Sequence, residues 1–149
     1  MFRLSSSLPL LVAAVALGLA ASAVATEIGQ IKVLKGQVSI ERNGRAFPGS
    51  VGMRLETADI LKTGPDGSVG VTMSDDSLLS AGPNSILSLD RYDFDPVTNN
   101  GRFDAQLNKG SLAVISGRIA KQTPDAMTVR TPSAILGVRG TEFVVSAND

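Results

Sequence analysis

The side chains that offer chemistry in this chain are carboxylates, because it contains no cysteine and no histidine. Thiol and imidazole nucleophiles and bases are thereby excluded, and any metal would have to be held by oxygen ligands. Two groups of acids are dense enough to consider: Asp75-Asp76, and Asp90, Asp93 and Asp95 with Asn99, Asn100 and Asp104 close behind. A pair of carboxylates about 5 Å or about 6.5 to 9.5 Å apart would suit glycoside hydrolysis. Neighbours on one strand point to opposite faces, so Asp75 and Asp76 would cooperate only within a turn. One tyrosine and no tryptophan also leave little aromatic surface on which to stack a sugar ring. The second group lacks the spacing of a calcium loop, since Val97 falls where a third ligand should stand. Asn99-Asn100-Gly101 at the tip of a solvated hairpin accounts for it more simply. These residues give no catalytic group, no metal site and no cofactor, and the chain is read as a non-enzyme.

The remaining candidates are cationic or sit near the end of the chain. In Thr131-Pro132-Ser133-Ala134-Ile135-Leu136-Gly137-Val138-Arg139-Gly140-Thr141-Glu142-Phe143, two apolar runs flank a glycine-bounded Val138-Arg139. That reads as strand, tight turn, strand, with Gly137 and Gly140 supplying positive φ or close backbone approach. Arg139 is the strong cation of this apolar segment and is expected to be mostly buried, paired with turn carbonyls or a carboxylate. Arg139, Gly140, Thr141 and Glu142 are therefore candidate motif residues. Arg118 and Lys121 lie in Ser116 to Ala126, which shows little periodicity and reads as an exposed loop, the usual place for contact residues.

These residues must be positioned by strands. From Ile28 onward, short runs alternate apolar and polar side chains between turn clusters, among them Asn43-Gly44, Gly64-Pro65-Asp66-Gly67 and Gly82-Pro83-Asn84. Asn-Gly between two such runs is the strongest short hairpin signal, since a type I′ turn needs positive φ twice. Ile31 and Val33 are expected on one face, as are Phe103, Ala105 and Leu107, after which Lys109-Gly110 reads as a turn. No helical pattern of useful length follows the amino-terminal segment. The expected fold is all-β: one domain of many short strands, arranged as a sandwich, barrel or solenoid-like stack.

Residues 1–25 have the pattern of a secretory signal peptide. Arg3 gives a positive start, Leu8 to Ala21 is uncharged and apolar, and Ala23-Val24-Ala25 is a small-residue cleavage site. An uncleaved anchor is the alternative, but the run is alanine-rich and lacks a basic stop-transfer flank. The mature domain is then 26–149, exported, with the periplasm as its compartment. Removing Arg3 leaves one more acidic than basic residue. A near-neutral chain has no electrostatic footprint for nucleic acid, so that partner class is excluded.

The mature chain resembles the periplasmic domain of the FecR family. The resemblance rests on Gly29-Gln30-Ile31-Lys32-Val33 and Gly36-Gln37-Val38, and on Gly52, Leu55, Asp59, Ile60, Leu61, Thr63 and Gly64. It continues through Asp75-Asp76-Ser77, Pro83-Asn84-Ser85, Leu107, Gly110 and Leu112, and closes with Thr131 to Phe143. Two positions depart from the pattern: Ala58-Asp59 stands for Gly-Asp, and Asp76-Ser77 follows Asp75 where Asp-Gly-Ser is usual. Transducers of this family carry a cytoplasmic helical domain, a membrane span, this domain and a receptor-facing module. A signal peptide directly before the domain implies an exported stand-alone form.

That resemblance implies a periplasmic binding or sensory interaction module, one part of envelope signalling, whose partner is an envelope protein or polysaccharide. Phe143-Val144-Val145, near the end of the chain, could lie at a sheet edge or in the middle of a sheet, and order along the chain does not decide. The alternative function is a self-assembling structural protein of the envelope, with homo-oligomers formed through exposed strand edges.

Overall fold

The computed structural model of the chain describes residues 26–148 and Gly18. Apart from Gly18, the expected signal peptide lies outside the described residues. Among the described residues twelve strands form: β1 (Glu27–Lys35), β2 (Val38–Arg42), β3 (Arg45–Pro48), β4 (Arg54–Glu56), β5 (Ile60–Thr63), β6 (Ser68–Met73), β7 (Leu78–Ala81), β8 (Ile86–Phe94), β9 (Gly101–Ile115), β10 (Met127–Arg130), β11 (Ile135–Gly137) and β12 (Glu142–Ala147), with one short helix, α1 (Arg118–Gln122). The fold is all-β. Among the described residues no helix is long and apolar enough to cross a membrane.

β9 organises the sheet. Its first part pairs with β8 on one side and with β10 on the other, and its last part pairs with β7 and β12. One half of the curled sheet therefore runs β3-β2-β5-β8-β9-β10-β11, and the other runs β4-β1-β6-β7-β9-β12. All pairings are antiparallel except β9 with β10. The sequence reading placed a turn at Lys109-Gly110; the structure instead carries β9 straight through it. Phe103, Ala105 and Leu107 are buried before Gly110, and Leu112 and Val114 after it, so the buried phase of the strand switches there. Gly110 has φ 92°, and a side chain on it would collide with Ser85. A positive φ at this point reverses the alternation and lets one strand serve both halves.

The two halves enclose one core, which includes Ile31, Val71 and Leu79 from one and Ile40, Leu61 and Leu87 from the other. Tyr92 meets Phe103 edge to face, with ring centroids 5.0 Å apart. Each such buried apolar side chain contributes about 1.5 to 3 kcal/mol.

Local signals explain several elements. Asn43 and Gly44 both have positive φ, and Arg42 pairs with Arg45 across the hairpin they close. Asn99, also at positive φ, turns the chain between β8 and β9, where Asp95 Oδ1 accepts the Val97 N–H at 2.9 Å. The β8–β9 hairpin is thus as the sequence suggested. One expected face is corrected: a register shift between Ile31 and Val33 leaves Ile31 buried and turns Val33 to solvent. A bulge adds one residue to one strand and so undoes period-two reasoning beyond it.

The segment 116–126 is also corrected. It is not a loop exposed throughout, because Ser116, Ile119, Ala120 and Ala126 are buried and α1 occupies its middle. A helix of five residues is too short to display a 3.6-residue period, which is why the sequence hid it.

Candidate interaction surface

Two buried polar clusters hold the frame on which the surface residues sit. Asp75, in the turn between β6 and β7, is fully buried. Its carboxylate accepts the Tyr92 hydroxyl at 3.0 Å, the Ser77 hydroxyl at 2.8 Å, and the N–H groups of Ser77 and Ile119 at 3.2 Å each. The Asp75 N–H donates to Tyr92 Oη at 2.7 Å, and the Gly117 N–H donates to Ser77 Oγ at 3.0 Å. Burial, with the neighbouring Asp75 charge next, pushes the Tyr92 phenol far above its ordinary range. Asp59 is the second buried acid. Arg42 holds it with two bonds, Nε to Oδ1 at 2.8 Å and Nη2 to Oδ2 at 2.7 Å, and the Glu56 N–H adds a third at 2.9 Å. Asp75 and Asp76 do lie in a turn, the one arrangement in which the sequence let them cooperate, but there Asp76 is exposed and Asp75 is an internal strut. With every Asp75 oxygen engaged by a structural donor, the pair is not arranged for proton transfer.

An open cleft of about 950 Å³ lies beside β1 and the β8–β9 tip, with Tyr92, Phe94, Glu27, Glu56, Asp93 and Asp95 among its lining residues. Its acids are engaged. Glu27 pairs with Arg54, Glu56 with Arg42 and Asp93 with Arg91, while Asp95 is held below the usual carboxylate range, chiefly by the Val97 N–H. Among the described residues, no group of three acids is placed to hold a metal ion.

The closing segment departs most from its expected form. β11 pairs with β10 in one half of the sheet and β12 pairs with β9 in the other. Val138 to Thr141 is therefore a crossing between halves, and not a tight turn within a hairpin. Val138 anchors it by burial and by donating to Met127 O at 2.9 Å. Arg139 is paired with a carboxylate but is not buried: its side chain is 76 % exposed. Its Nε lies 3.0 Å from both oxygens of Asp125, and its Nη2 lies 2.6 Å from Oδ2. That hydrogen bond holds Asp125 below the ordinary carboxylate range. Gly137 does give close approach, because a side chain there would strike the Asp125 carboxylate. Gly140 has neither positive φ nor a crowded Cβ position, so the expected need for glycine is absent there. Its carbonyl accepts the Ser116 hydroxyl at 2.8 Å, and the Thr141 carbonyl accepts the Ser116 N–H at 2.8 Å.

The structure thus brings Arg139, Gly140 and Thr141 against the 116–126 segment, but it does not gather Arg118 and Lys121 with them. Arg118 is half-buried and structural. Its guanidinium lies over the Phe94 ring at 4.7 Å, its Nη2 donates to Ser74 O at 3.1 Å, and its Nε lies 3.3 Å from Asp76. Lys121 is exposed on the last turn of α1.

The sequence reading missed a strip on the outer face of the β4-β1-β6-β7-β9-β12 half. Val33, Leu78, Ile115 and Val144 are all exposed there, and Gly70, Ser80 and Ala113 form its floor. Register places these residues in cross-strand contact: Val33 faces Gly70, Gly70 faces Ser80, Ser80 faces Ala113, and Ala113 faces Val144; Leu78 faces Ile115, which faces Glu142. The strip ends at β12, which among the described residues pairs with β9 alone. Val144 is 71 % exposed, and Glu142 forms no ion pair among the described residues.

The free edges differ in how they are protected. β3 ends in Pro48 and opens with Arg45, and β4 is three residues long with Arg54 and Glu56 at its ends. Charge, proline and shortness are the common defences of an edge strand. β12 has six residues, no proline, no register shift and a single charge, Glu142, while β11 is as short as β4 but leaves Ile135 and Leu136 exposed. Backbone groups on an unguarded edge, next to exposed apolar side chains, are what an incoming strand uses.

A family profile described as FecR, FecR protein, matches residues 59–149, more than half of the chain. The matched span starts just before β5; β1 and β2, which precede it, pair with β6 and β5 inside it and complete the same sheet. No curated protein and no solved structure matches the chain.

Proposed function

The chain belongs to the FecR family, and from that premise we propose that it is an exported, non-catalytic interaction module of the cell envelope. In this reading residues 1–25 are a cleaved signal peptide, residues 26–149 work in the periplasm as one domain, and the module serves as the binding or sensory part of an envelope signalling system. The observation that carries it is the open edge of β12, continuous with the apolar strip through Val144, Ile115, Leu78 and Val33. Such an edge offers hydrogen bonds for affinity and adjacent side chains for specificity. A protein partner able to extend one strand suits this surface better than a polysaccharide, because the exposed strip lacks aromatic rings.

The same β12 edge, together with the exposed Ile135 and Leu136 on the short β11, favours self-assembly as the second reading. Sedimentation of residues 26–149 over a wide concentration range separates the two. A module for another protein stays monomeric; assembly that grows with concentration would instead make the chain a structural subunit.

A further inference from the structure

The β12 edge shows what kind of strand it would accept. The Thr141 carbonyl receives the N–H of Ser116, the residue just past the end of β9, so backbone alternation turns the groups of Phe143, Val145 and Ala147 toward β9 as well. The N–H and C=O groups of Glu142, Val144 and Ser146 then point away from the sheet, and the same three residues are exposed. Their order is an unpaired carboxylate, an apolar side chain and a hydroxyl. Counting outward from β9, β12 is the last strand of its half, whereas β10 is followed by β11 in the other. An added strand would fill that step.

Charge then decides between occupants. In a two-fold pairing of β12 with a second copy centred on Val144, each Glu142 would face Ser146 of the other copy and find no cation. A strand that carries its own cation neutralises Glu142 and still buries Val144. Resting on the strand-addition reading above, we infer that β12 binds an antiparallel segment of another protein, bearing an aliphatic residue beside Val144 and a lysine or arginine beside Glu142. Antiparallel register puts the basic residue two positions toward the partner's C-terminus from the aliphatic one.

The test uses the full exported chain and a synthetic peptide of alternating threonines, in which a valine and, two positions later, a lysine share one face. Binding is followed by fluorescence anisotropy. The Val144→Pro protein removes an outward N–H while sparing the β12–β9 ladder, and its circular dichroism reports that the fold is intact. The expected result is binding to wild type, a loss of at least about tenfold with Val144→Pro, and an effect of about threefold on exchanging lysine for glutamate in the peptide. Glu142→Lys should reverse that preference. If Val144→Pro abolishes binding but the charge exchanges change nothing, strand addition stands and the basic partner is refuted. If Val144→Pro binds as well as wild type, or wild type binds no peptide, the strand-addition reading falls with it. Self-association that Val144→Pro abolishes, with no peptide bound, would make the occupant a second copy and overturn the proposal.

Discussion

Tyr92 and Asp75 show at the scale of single residues how much of this fold depends on buried polar groups. The phenol of Tyr92 both accepts from the Asp75 N–H and donates to the Asp75 carboxylate. Burial and the adjacent charge raise its folded pKa far above the unfolded value of about 10. A group whose folded pKa is raised contributes stability that is present below its unfolded pKa and is lost as pH rises beyond it. Tyr92 is the chain's one tyrosine, so phenolate absorbance reports this site alone. Alkaline titration should show no phenolate above pH 10 until the protein unfolds, and then a single cooperative step; a free titration near pH 10 in folded protein would contradict the buried network. That Asp75 is internal was not legible, because Ser-Asp-Asp-Ser has the composition of a solvated turn and its partners lie 17 and 44 positions away. Ala58 was more legible. It stands where the family's pattern has glycine, and it has φ 73°, the left-handed conformation that glycine adopts without steric cost.

Among elements, β12 carries the functional argument and β9 the structural one. The alternation in β9 was visible at Phe103, Ala105 and Leu107, but the continuity of the strand through Gly110 was not. Glycine marks turns and phase-reversing kinks alike, and only long-range pairing to β7 and β12 distinguishes them. Likewise the strand at 142–147 could be read from its apolar run, while its edge position followed only from the register. That position has a direct consequence for stability. Phe143→Pro removes a ladder hydrogen bond and a partly buried ring, and should cost about 3 to 5 kcal/mol. Val144→Pro removes a donor that faces outward, and should cost less than about 1 kcal/mol. Urea denaturation of the two variants measures the contrast, and equal losses would show that β12 is paired on both sides.

At the scale of the whole molecule, one curled sheet encloses a single core and leaves its less guarded edges at the C-terminal end of the described chain. The all-β class was legible because period-two runs and turn residues recur throughout, as were the apolar runs of the closing segment. Its role was not legible in detail: Arg139 was expected inside, yet with Asp125 it forms a solvent-facing clasp that fixes the crossing between the two halves. Arg118 was expected to be a free surface probe, yet it braces the β6–β7 turn. Both cases share a cause. Sequence shows which charges must be paired, while the fold decides on which side of the surface the pairing occurs. The outer apolar strip also belongs to this scale, since Val33, Leu78, Ile115 and Val144 come from four separate strands.

If β12 is the binding surface, its edge is occupied in the cell. A photocrosslinking amino acid placed at Val144, with the still more exposed Val97 at the β8–β9 tip as control, reads this directly. The expected result is one envelope protein captured from position 144 and absent from position 97. Capture of nothing at 144, or the same pattern from both positions, would contradict the assignment of the β12 edge as the binding surface.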